Sequence, residues 1–184
     1  METTSAAPQV RHLDSAAVRE RAAAWTGLYN ACFSAAPWNE PHHSEAEYLE
    51  LISWHLDQPG LRGVEVCDAD GAPIAVAYGW PCAEQVPDSG LYRRIAEALG
   101  PEATAELWAE RPFEIVEVMV GPAARGLGLG RSLLTAIRAG FDTAWLLTRA
   151  DSDAPAFYRA LGWERAAEVT ADGYDLYVLR ANPA

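Results

Sequence analysis

Arg125-Gly126-Leu127-Gly128-Leu129-Gly130-Arg131 is the most informative segment of this chain. It lies between Phe113–Val120, whose composition is typical of a strand, and Gly128–Gly140, whose apolar residues recur at helical spacing. Closely spaced glycines leave backbone N–H groups open to an anion, and the start of a helix adds partial positive charge. The two arginines can add charge-assisted hydrogen bonds. The loop therefore predicts a pyrophosphate cradle, and a tight turn without a ligand is the alternative.

A dinucleotide-binding fingerprint is a second alternative for this loop. In that fingerprint an acid follows the glycines by about twenty residues, and Asp151 stands at that distance here. The third glycine position, however, is held by Arg131 or Leu133, and neither residue allows close packing of helix on strand. No second unit of this kind follows. A P-loop is excluded because the chain has no lysine that could reach the phosphates.

The remaining chain alternates between strand-like and helix-like stretches. Strands are predicted at Gln9–Leu13, Gly63–Cys67, Ala72–Trp80, Phe113–Val120, Thr143–Thr148, Trp163–Val169 and Tyr174–Leu179, with turns at Asp68–Gly71 and Ala171–Gly173. The first predicted helix is capped by Asp14 or Ser15 and carries apolar residues from Val18 to Cys32. Further helices are predicted from a capping box at Ser44–Glu47 to before Pro59, twice within Pro81–Pro112, at Gly128–Gly140 and at Ala154–Leu161. Because the last third contains a β-α-β unit, we predict an α+β fold with a mixed central sheet flanked by helices.

Length and composition limit the organisation of the chain. With 184 residues and 50% apolar content, the chain is long enough for one core. We therefore predict a single domain over residues 1–184, with a helical insertion at about 81–112. No apolar run of about eighteen residues occurs and Met1–Gln9 is polar, so we predict a cytoplasmic protein with no membrane partner.

Charge and metal-binding residues exclude two further classes of function. A net charge of -12 argues against a nucleic-acid partner, because such affinity depends on basic residues that neutralise phosphates. The charge favours a cationic substrate, although acidity that merely keeps the protein soluble explains the same value. The three cysteines form no C-x-x-C pair, and the four histidines form no helical pair with an acid between them. We predict no metal.

Two motifs resemble the GNAT-type N-acetyltransferases. The first is the strand end Val120-Gly121-Pro122 followed by Arg125–Gly130, which matches the family pattern of Gln or Arg, two residues, Gly, one residue, and Gly or Ala. The second is Asp151–Trp163, which is similar to the family pattern Asn-x-x-Ala-x-x-x-Tyr-x-x-x-Gly-aromatic. Asp151 stands where the family has Asn, and Pro155 stiffens the start of the helix. The order of elements matches the family over about Gly63 to Leu179.

The resemblance implies a splayed sheet, with Phe113–Val120 diverging from Thr143–Thr148 and the pantetheine arm of acetyl-CoA in the gap. It implies transfer of the acetyl group to a primary amine of a small molecule or peptide, by direct attack in a ternary complex. The partners would be acetyl-CoA and an amine acceptor, and a homodimer is left open as the assembly. The implied cofactor-binding residues are Val118, Met119, Val120, Arg125, Gly126, Leu127, Gly128, Leu129, Gly130, Arg131, Ser132, Asp151, Ala154 and Tyr158.

Three residues are candidates for the chemistry. An amine with a pKa of about 10.4 must lose a proton before it attacks a thioester, which costs roughly 4–5 kcal/mol at pH 7. Glu114 or Glu117 could accept that proton, but they differ in strand parity, and the resemblance favours Glu114. The resemblance implies that Tyr158 protonates the departing thiolate. Alternatively, both glutamates are solvated and Tyr158 is an ordinary packed tyrosine. The alternative function for the whole chain is a non-catalytic acyl-CoA sensor.

One loop carries aromatic and acidic residues without an assigned site. Trp38, Asn39, Glu40, His42 and His43 lie between the first two predicted helices, where the family often covers the acceptor. An aromatic residue near an acid can bind a cation. A packing anchor and a solvated histidine pair explain these residues as well, so we assign no site here.

Overall fold

The computed structural model describes residues 9–170 and 173–181. They form two compact units, the first from residues 9–78 and 117–137, and the second from residues 79–116, 138–170 and 173–181. Within these residues no helix is both long enough and apolar enough to cross a bilayer. The predicted turn at 171–173 falls largely outside the described residues. One domain over the whole chain stays a prediction.

The described residues contain a sheet of seven strands. They are β1 Arg11–Leu13, β2 Arg62–Cys67, β3 Pro73–Pro81, β4 Phe113–Val120, β5 Thr143–Arg149, β6 Glu164–Thr170 and β7 Tyr174–Arg180, in the order β1-β2-β3-β4-β5-β7-β6. β4 runs parallel to β5, whereas the β1–β2, β5–β7 and β6–β7 pairs are antiparallel. The predicted α+β fold with a mixed sheet is therefore confirmed.

Helices flank these strands in both units. They are α1 Ser15–Arg21, α2 Thr26–Phe33, α3 Glu45–Leu51, α4 Ser53–Leu56, α5 Gly90–Leu99, α6 Pro101–Ala109, α7 Leu129–Ile137 and α8 Ala154–Ala160. The prediction of one helix over Val18–Cys32 is wrong, because a 3-10 turn at Ala22–Trp25 separates α1 from α2. Trp25 is fully buried in that turn, and its Nε1 donates to Glu65 Oε2 at 3.0 Å. This buried hydrogen bond holds the 3-10 turn between α1 and α2 in place.

The second predicted helix is also two helices. The capping box is confirmed, since Ser44 Oγ accepts from the backbone N–H of Glu47 and the Glu47 carboxylate accepts from the backbone N–H of Ser44. The helix breaks at Ile52, whose φ of -96° and ψ of 6° depart from helical values. The side chain of Ile52 is 2% exposed, so the residue at which the helix breaks is packed in the core.

The predicted helical insertion forms α5 and α6, which meet at Gly100 with φ +81°. Both helices contribute to a cluster that also takes residues from β5, β6 and β7. Its buried members are Tyr92, Ile95, Leu107, Trp108, Trp145, Val169, Leu176 and Val178. Removing apolar surface from water stabilises this packing by about 25 cal/mol per Å². The insertion is therefore part of the core of the second unit.

The N-terminal end of β4 is tightly fixed in the second unit. β4 pairs with β5 at two positions, Phe113 with Ala144 and Glu114 with Trp145. This short ladder is the pattern expected of strands that splay apart. On the other side, a Cβ added at Gly79 would lie 1.9 Å from the carbonyl oxygen of Glu114, so only glycine fits there. The backbone at Glu114 is thereby held in place.

Candidate functional site

The glycine loop of the first unit has the backbone of an anion cradle. Gly126 and Gly128 have φ values of +78° and +76°, which L side chains rarely adopt. A Cβ added at either glycine would meet no atom within 4 Å, so both face open space. Helix α7 begins at Leu129, and its first N–H groups have no intrahelical partner. The loop thus has room for a phosphate group at a helix N-terminus.

The side chains of the loop divide between core and solvent. Leu129 is 4% exposed and fixes the start of α7, whereas Leu127 is 66% exposed. Arg125 Nε donates to the carbonyl oxygen of Val120 at 3.4 Å. Arg131 is exposed, and within the described ranges no carboxylate forms an ion pair with it. Its guanidinium is available for an anion.

Glu117 is a half-buried carboxylate in the first unit. Among residues 9–170 and 173–181, we find no hydrogen bond or ion pair to its oxygens. Burial, with the nearby charge of Glu40, raises the pKa of Glu117 to about 8. Its charge also contributes, after burial, to the raised pKa values of Tyr48 and Tyr78. Glu117 therefore lies among phenol hydroxyls and close to a second acid.

Two tyrosines near Glu117, Tyr48 and Tyr78, differ in how their hydroxyls are satisfied. Tyr48 is fully buried, and its hydroxyl interacts with that of Tyr78 outside good hydrogen-bond geometry. This interaction contributes to the raised pKa of Tyr78. Tyr78, also fully buried, shares a hydrogen bond of 3.1 Å with His55 Nδ1. Burial lowers the pKa of His55 to about 4, so its ring is neutral at pH 7. The tyrosines and His55 are thus polar, uncharged groups, and the charge near Glu117 is that of Glu40.

Aromatic rings continue from Tyr48 towards the surface of the first unit. Ring centroids are 4.9 Å apart for Tyr48 and Tyr29, 4.8 Å for Tyr29 and Phe33, and 5.1 Å for Phe33 and Trp38. Trp38 is half-buried, and Glu40 follows two residues later. The N–H of Glu40 donates to the carbonyl oxygen of Phe33 at 2.9 Å, which closes the loop.

Glu114 has a different environment, in the second unit. It is 5% exposed, and its Oε2 accepts hydrogen bonds from Tyr92 Oη at 2.5 Å and from Trp80 Nε1 at 3.1 Å. Burial raises the pKa of Glu114 to about 7, and the two hydrogen bonds oppose that rise. Sequence reasoning gave Tyr92 and Trp80 no role, because neither lies in a motif. Their hydrogen bonds connect α5 and β3 to β4, elements that are distant in sequence.

Tyr158 lies on α8, in the second unit. It is 7% exposed, and its ring centroid is 5.8 Å from that of Trp163 and 5.9 Å from that of Tyr177. Pro155 stands in the first turn of α8, where a missing N–H costs no helical hydrogen bond. The ring is held by packing.

Asp151, at the motif position where the family has Asn, is occupied by an ion pair. Arg149 donates to both of its carboxylate oxygens, from Nε at 2.9 Å and from Nη2 at 2.7 Å. This pair lowers the pKa of Asp151. The carboxylate is therefore neutralised locally instead of repelling an anionic ligand.

Metal-binding groups and thiols were also located. Within the described part of the chain, no group of His, Cys, Asp and Glu has the arrangement that holds a metal ion. Cys32, Cys67 and Cys82 are free thiols and half-buried. Burial raises the pKa of Cys32 to about 11, so this thiol is protonated at neutral pH.

The pKa of Glu117 gives a prediction for stability. Between about pH 4.3, the usual pKa of Glu, and about 8, the folded chain binds more protons than the unfolded chain, so this residue lowers stability as pH rises. Glu117→Gln removes that penalty. We expect the free energy of unfolding to rise by about 1–3 kcal/mol at pH 8.5 and to change little near pH 4, measured by urea unfolding. Glu20→Gln, an exposed change of equal charge, is the control. A difference that is the same at both pH values would contradict the raised pKa.

Comparison with known proteins gives the same family that the motifs resemble. A family model described as an acetyltransferase (GNAT) domain matches residues 66–165, more than half of the chain. No curated protein sequence matches this chain.

Solved structures show the same fold. An acetyltransferase from Thermus thermophilus has a TM-score of 0.66 at 12% identity, covering 95% of this chain and 98% of that one. The ribosomal-protein-S18-alanine N-acetyltransferase of Escherichia coli has a TM-score of 0.57 at 17% identity, covering 96% and 95%. A phosphinothricin acetyltransferase from Sinorhizobium meliloti, in complex with AcCoA, has a TM-score of 0.57 at 20% identity, covering 96% and 89%.

Proposed function

This chain belongs to the GNAT acetyltransferase family, and on that basis we propose that it is an N-acetyltransferase, which moves the acetyl group of acetyl-CoA to a primary amine of a small molecule or peptide. The amine attacks directly in a ternary complex. Acetyl-CoA supplies an activated thioester. The chain supplies binding groups and proton transfer.

The observation that carries the proposal is the cradle. Gly126 and Gly128 combine positive φ with open space, and α7 begins directly after them. These features fit the pyrophosphate of CoA, with Arg125 and Arg131 as charged neighbours and Ser132 in the first turn. Further contacts proposed for the cofactor come from the backbone of Val118–Val120, as an added strand would make them, and from Asp151, Ala154 and Tyr158 on the second motif.

We assign the general base to Glu117. A carboxyl with a pKa of about 8 differs from an ammonium of about 10.4 by about 2 units, or about 3 kcal/mol, whereas an ordinary Glu differs by about 6 units. Its oxygens have no fixed partner in the described residues, so they are available to an amine. Proton transfer to Glu117 is therefore feasible near neutral pH.

Glu114, which the resemblance favoured as base, is assigned a positioning role. Both of its hydrogen bonds end on Oε2, and its side chain is nearly inaccessible. The two hydrogen bonds hold the carboxylate in place, and an exposed fraction of 5% leaves little access for an incoming amine. Glu114 instead fixes the start of β4 against α5 and β3, and β4 also carries Glu117.

Tyr158 is the proposed general acid, on the strength of the motif that contains it. Its packed ring leaves the hydroxyl as the reactive group, and a phenol can protonate a thiolate whose pKa is about 8.5.

The cysteines bear on the compartment in which the protein works. Three free thiols fit a reducing compartment such as the cytoplasm. A homodimer stays a prediction.

Release of free CoA thiol from acetyl-CoA tests the proposal. The acceptors should cover polyamines, aminoglycosides, arylalkylamines, amino acids and peptides, and the acetylated product should be identified by mass spectrometry. We expect at least one amine to give saturable release. Binding of acetyl-CoA by calorimetry without release for any amine would instead support a non-catalytic sensor, and preference for NADH over CoA would contradict the cradle.

The cradle gives its own prediction. Gly128→Val forces a branched side chain onto a φ of +76° and places methyl groups where the phosphate should lie. We expect the Kd for acetyl-CoA to rise about 10- to 30-fold, which corresponds to loss of about one charge-assisted hydrogen bond. Gly71→Val is the matched control, because Gly71 has a φ of +83° and equally open surroundings outside the loop. Equal affinities of the two variants would show that the loop does not hold the cofactor.

A further inference from the structure

Next to Glu117, the first unit carries aromatic and acidic residues that the proposed function leaves unassigned, and we call them, together with Glu117, the acceptor surface. It consists of the ring series Tyr48, Tyr29, Phe33 and Trp38 and of the carboxylates Glu40 and Glu117. The rings connect the fully buried Tyr48, near Glu117, with the half-buried Trp38, near Glu40 in sequence.

The two carboxylates are close enough to repel each other. Two like charges at a half-buried position raise the free energy of the empty site, and a bound cation removes that cost. A cation does lie in this region: Arg125 lowers the pKa of Cys32, on which Glu117 also acts. Arg125, however, donates a hydrogen bond to the carbonyl oxygen of Val120 and belongs to the cradle. No salt bridge to Glu40 or Glu117 is found in the residues that the structure describes. The charge is therefore available to a ligand.

A buried hydroxyl also points to a ligand. Tyr48 Oη is inaccessible and interacts with the Tyr78 hydroxyl outside good hydrogen-bond geometry, which leaves a buried polar atom incompletely satisfied. It lies near enough to Glu117 for the carboxylate to raise the pKa of its phenol. A protonated amine bound at Glu117 offers three N–H groups, which can donate to the carboxylate and to the hydroxyl oxygen of Tyr48.

The rings determine what accompanies the amine. Tyr29 and Phe33 are each 8% exposed and Trp38 is half-buried, so the aromatic series becomes more exposed towards Trp38. Aromatic faces attract cations and apolar chains, and they offer nothing to a carboxylate. The loop that bears Trp38 and Glu40 is closed by the hydrogen bond from Glu40 to Phe33, so the surface is formed in advance.

We infer that the acceptor is a cationic primary amine on an apolar or aromatic carbon chain, with no carboxylate beside the amine, and that Glu40 selects for this charge. This inference rests on the proposed acetyl transfer, and it names the substrate class of that reaction. An α-amino acid would place its carboxylate within about 5 Å of Glu117, where like-charge repulsion lowers kcat/KM by about 10²-fold.

Three related acceptors test the inference: phenethylamine, phenylalanine and phenylalaninamide. They share the ring and the primary amine, and they differ in the group beside the amine. We expect kcat/KM for phenethylamine to exceed that for phenylalanine by about 10²-fold or more. Phenylalaninamide should recover most of the loss, because it restores neutrality at nearly constant volume. Equal or better use of phenylalanine would overturn the inference while leaving N-acetylation intact.

Glu40→Gln tests the residue assigned to selection. We expect KM for phenethylamine to rise about 5- to 10-fold with kcat nearly unchanged, and the preference over phenylalanine to shrink by a similar factor. Glu20→Gln changes the net charge equally at an exposed position of α1 and should leave both values as in the parent. An unchanged preference in Glu40→Gln would remove Glu40 from the surface. If no amine releases thiol, the proposed function itself fails, which is a different outcome from failed selection.

Discussion

Glu117→Gln is expected to lower kcat by about 10²- to 10³-fold at pH 7.5 while the Kd for acetyl-CoA changes less than about twofold. The amide keeps the shape of the side chain but accepts no proton. Because Glu117 belongs to β4 and not to the glycine loop, cofactor affinity should persist. Single-turnover kinetics with a saturating amine, beside calorimetry with acetyl-CoA, separate the two effects.

The pH profile distinguishes a base from a residue that only positions substrate. In the parent, kcat/KM should rise through an apparent pKa of about 8, because the deprotonated carboxylate is the active form and burial raises its pKa. In Glu117→Gln that limb should vanish. Activity should then increase only as the free amine accumulates towards its own pKa of about 10.4.

Glu114→Gln is the matched comparison for this prediction. Its amide still accepts from Tyr92 and Trp80 through its oxygen, so we expect a loss of less than about 10-fold that is similar at every pH. A larger loss in Glu114→Gln, with recovery at alkaline pH and near-parental Glu117→Gln, would exchange the two roles. In that case the assignment favoured by the family resemblance would be the better one.

Local signals explain why much of the fold was predictable. The capping box at Ser44, the hairpin turn at Asp68–Gly71 and the strand-loop-helix at Arg125–Arg131 each depend on residues within one turn of one another. Asp68 Oδ1 accepts from the backbone N–H of Asp70 and of Ala72, as a turn-forming Asp does. Such contacts form in any tertiary context. The family match over residues 66–165 then agrees with the two motifs.

Contacts distant in sequence explain what was not predicted. The environment of Glu114 depends on Tyr92, 22 positions away, and on Trp80, 34 positions away. No periodicity encodes either pairing. The interruption between α1 and α2 likewise depends on the contact of Trp25 with Glu65. Strand parity predicts different environments for Glu114 and Glu117, but their burial and hydrogen-bond partners, on which we base the proposed roles, required the structure.

Tyr158→Phe is expected to reduce kcat by about 10²-fold or more, with acetyl-CoA binding retained. The change keeps a ring that packs near Trp163 and Tyr177 and removes one hydroxyl, so folding should be preserved. If that hydroxyl protonates the leaving thiolate, no increase in pH replaces it. The loss should therefore persist from pH 6 to about 10, unlike the loss in Glu117→Gln.

Tyr177→Phe is the control for this variant. Its ring centroid lies 5.9 Å from that of Tyr158, and its buried Oη has no hydrogen-bond partner among the described residues. Removing that hydroxyl should leave kcat within about twofold of the parent, because no contact is lost. Kinetics of both variants with acetyl-CoA and the best amine decide the assignment. Near-parental turnover of Tyr158→Phe, or an equal loss in both variants, would show that the Tyr158 hydroxyl is not the general acid.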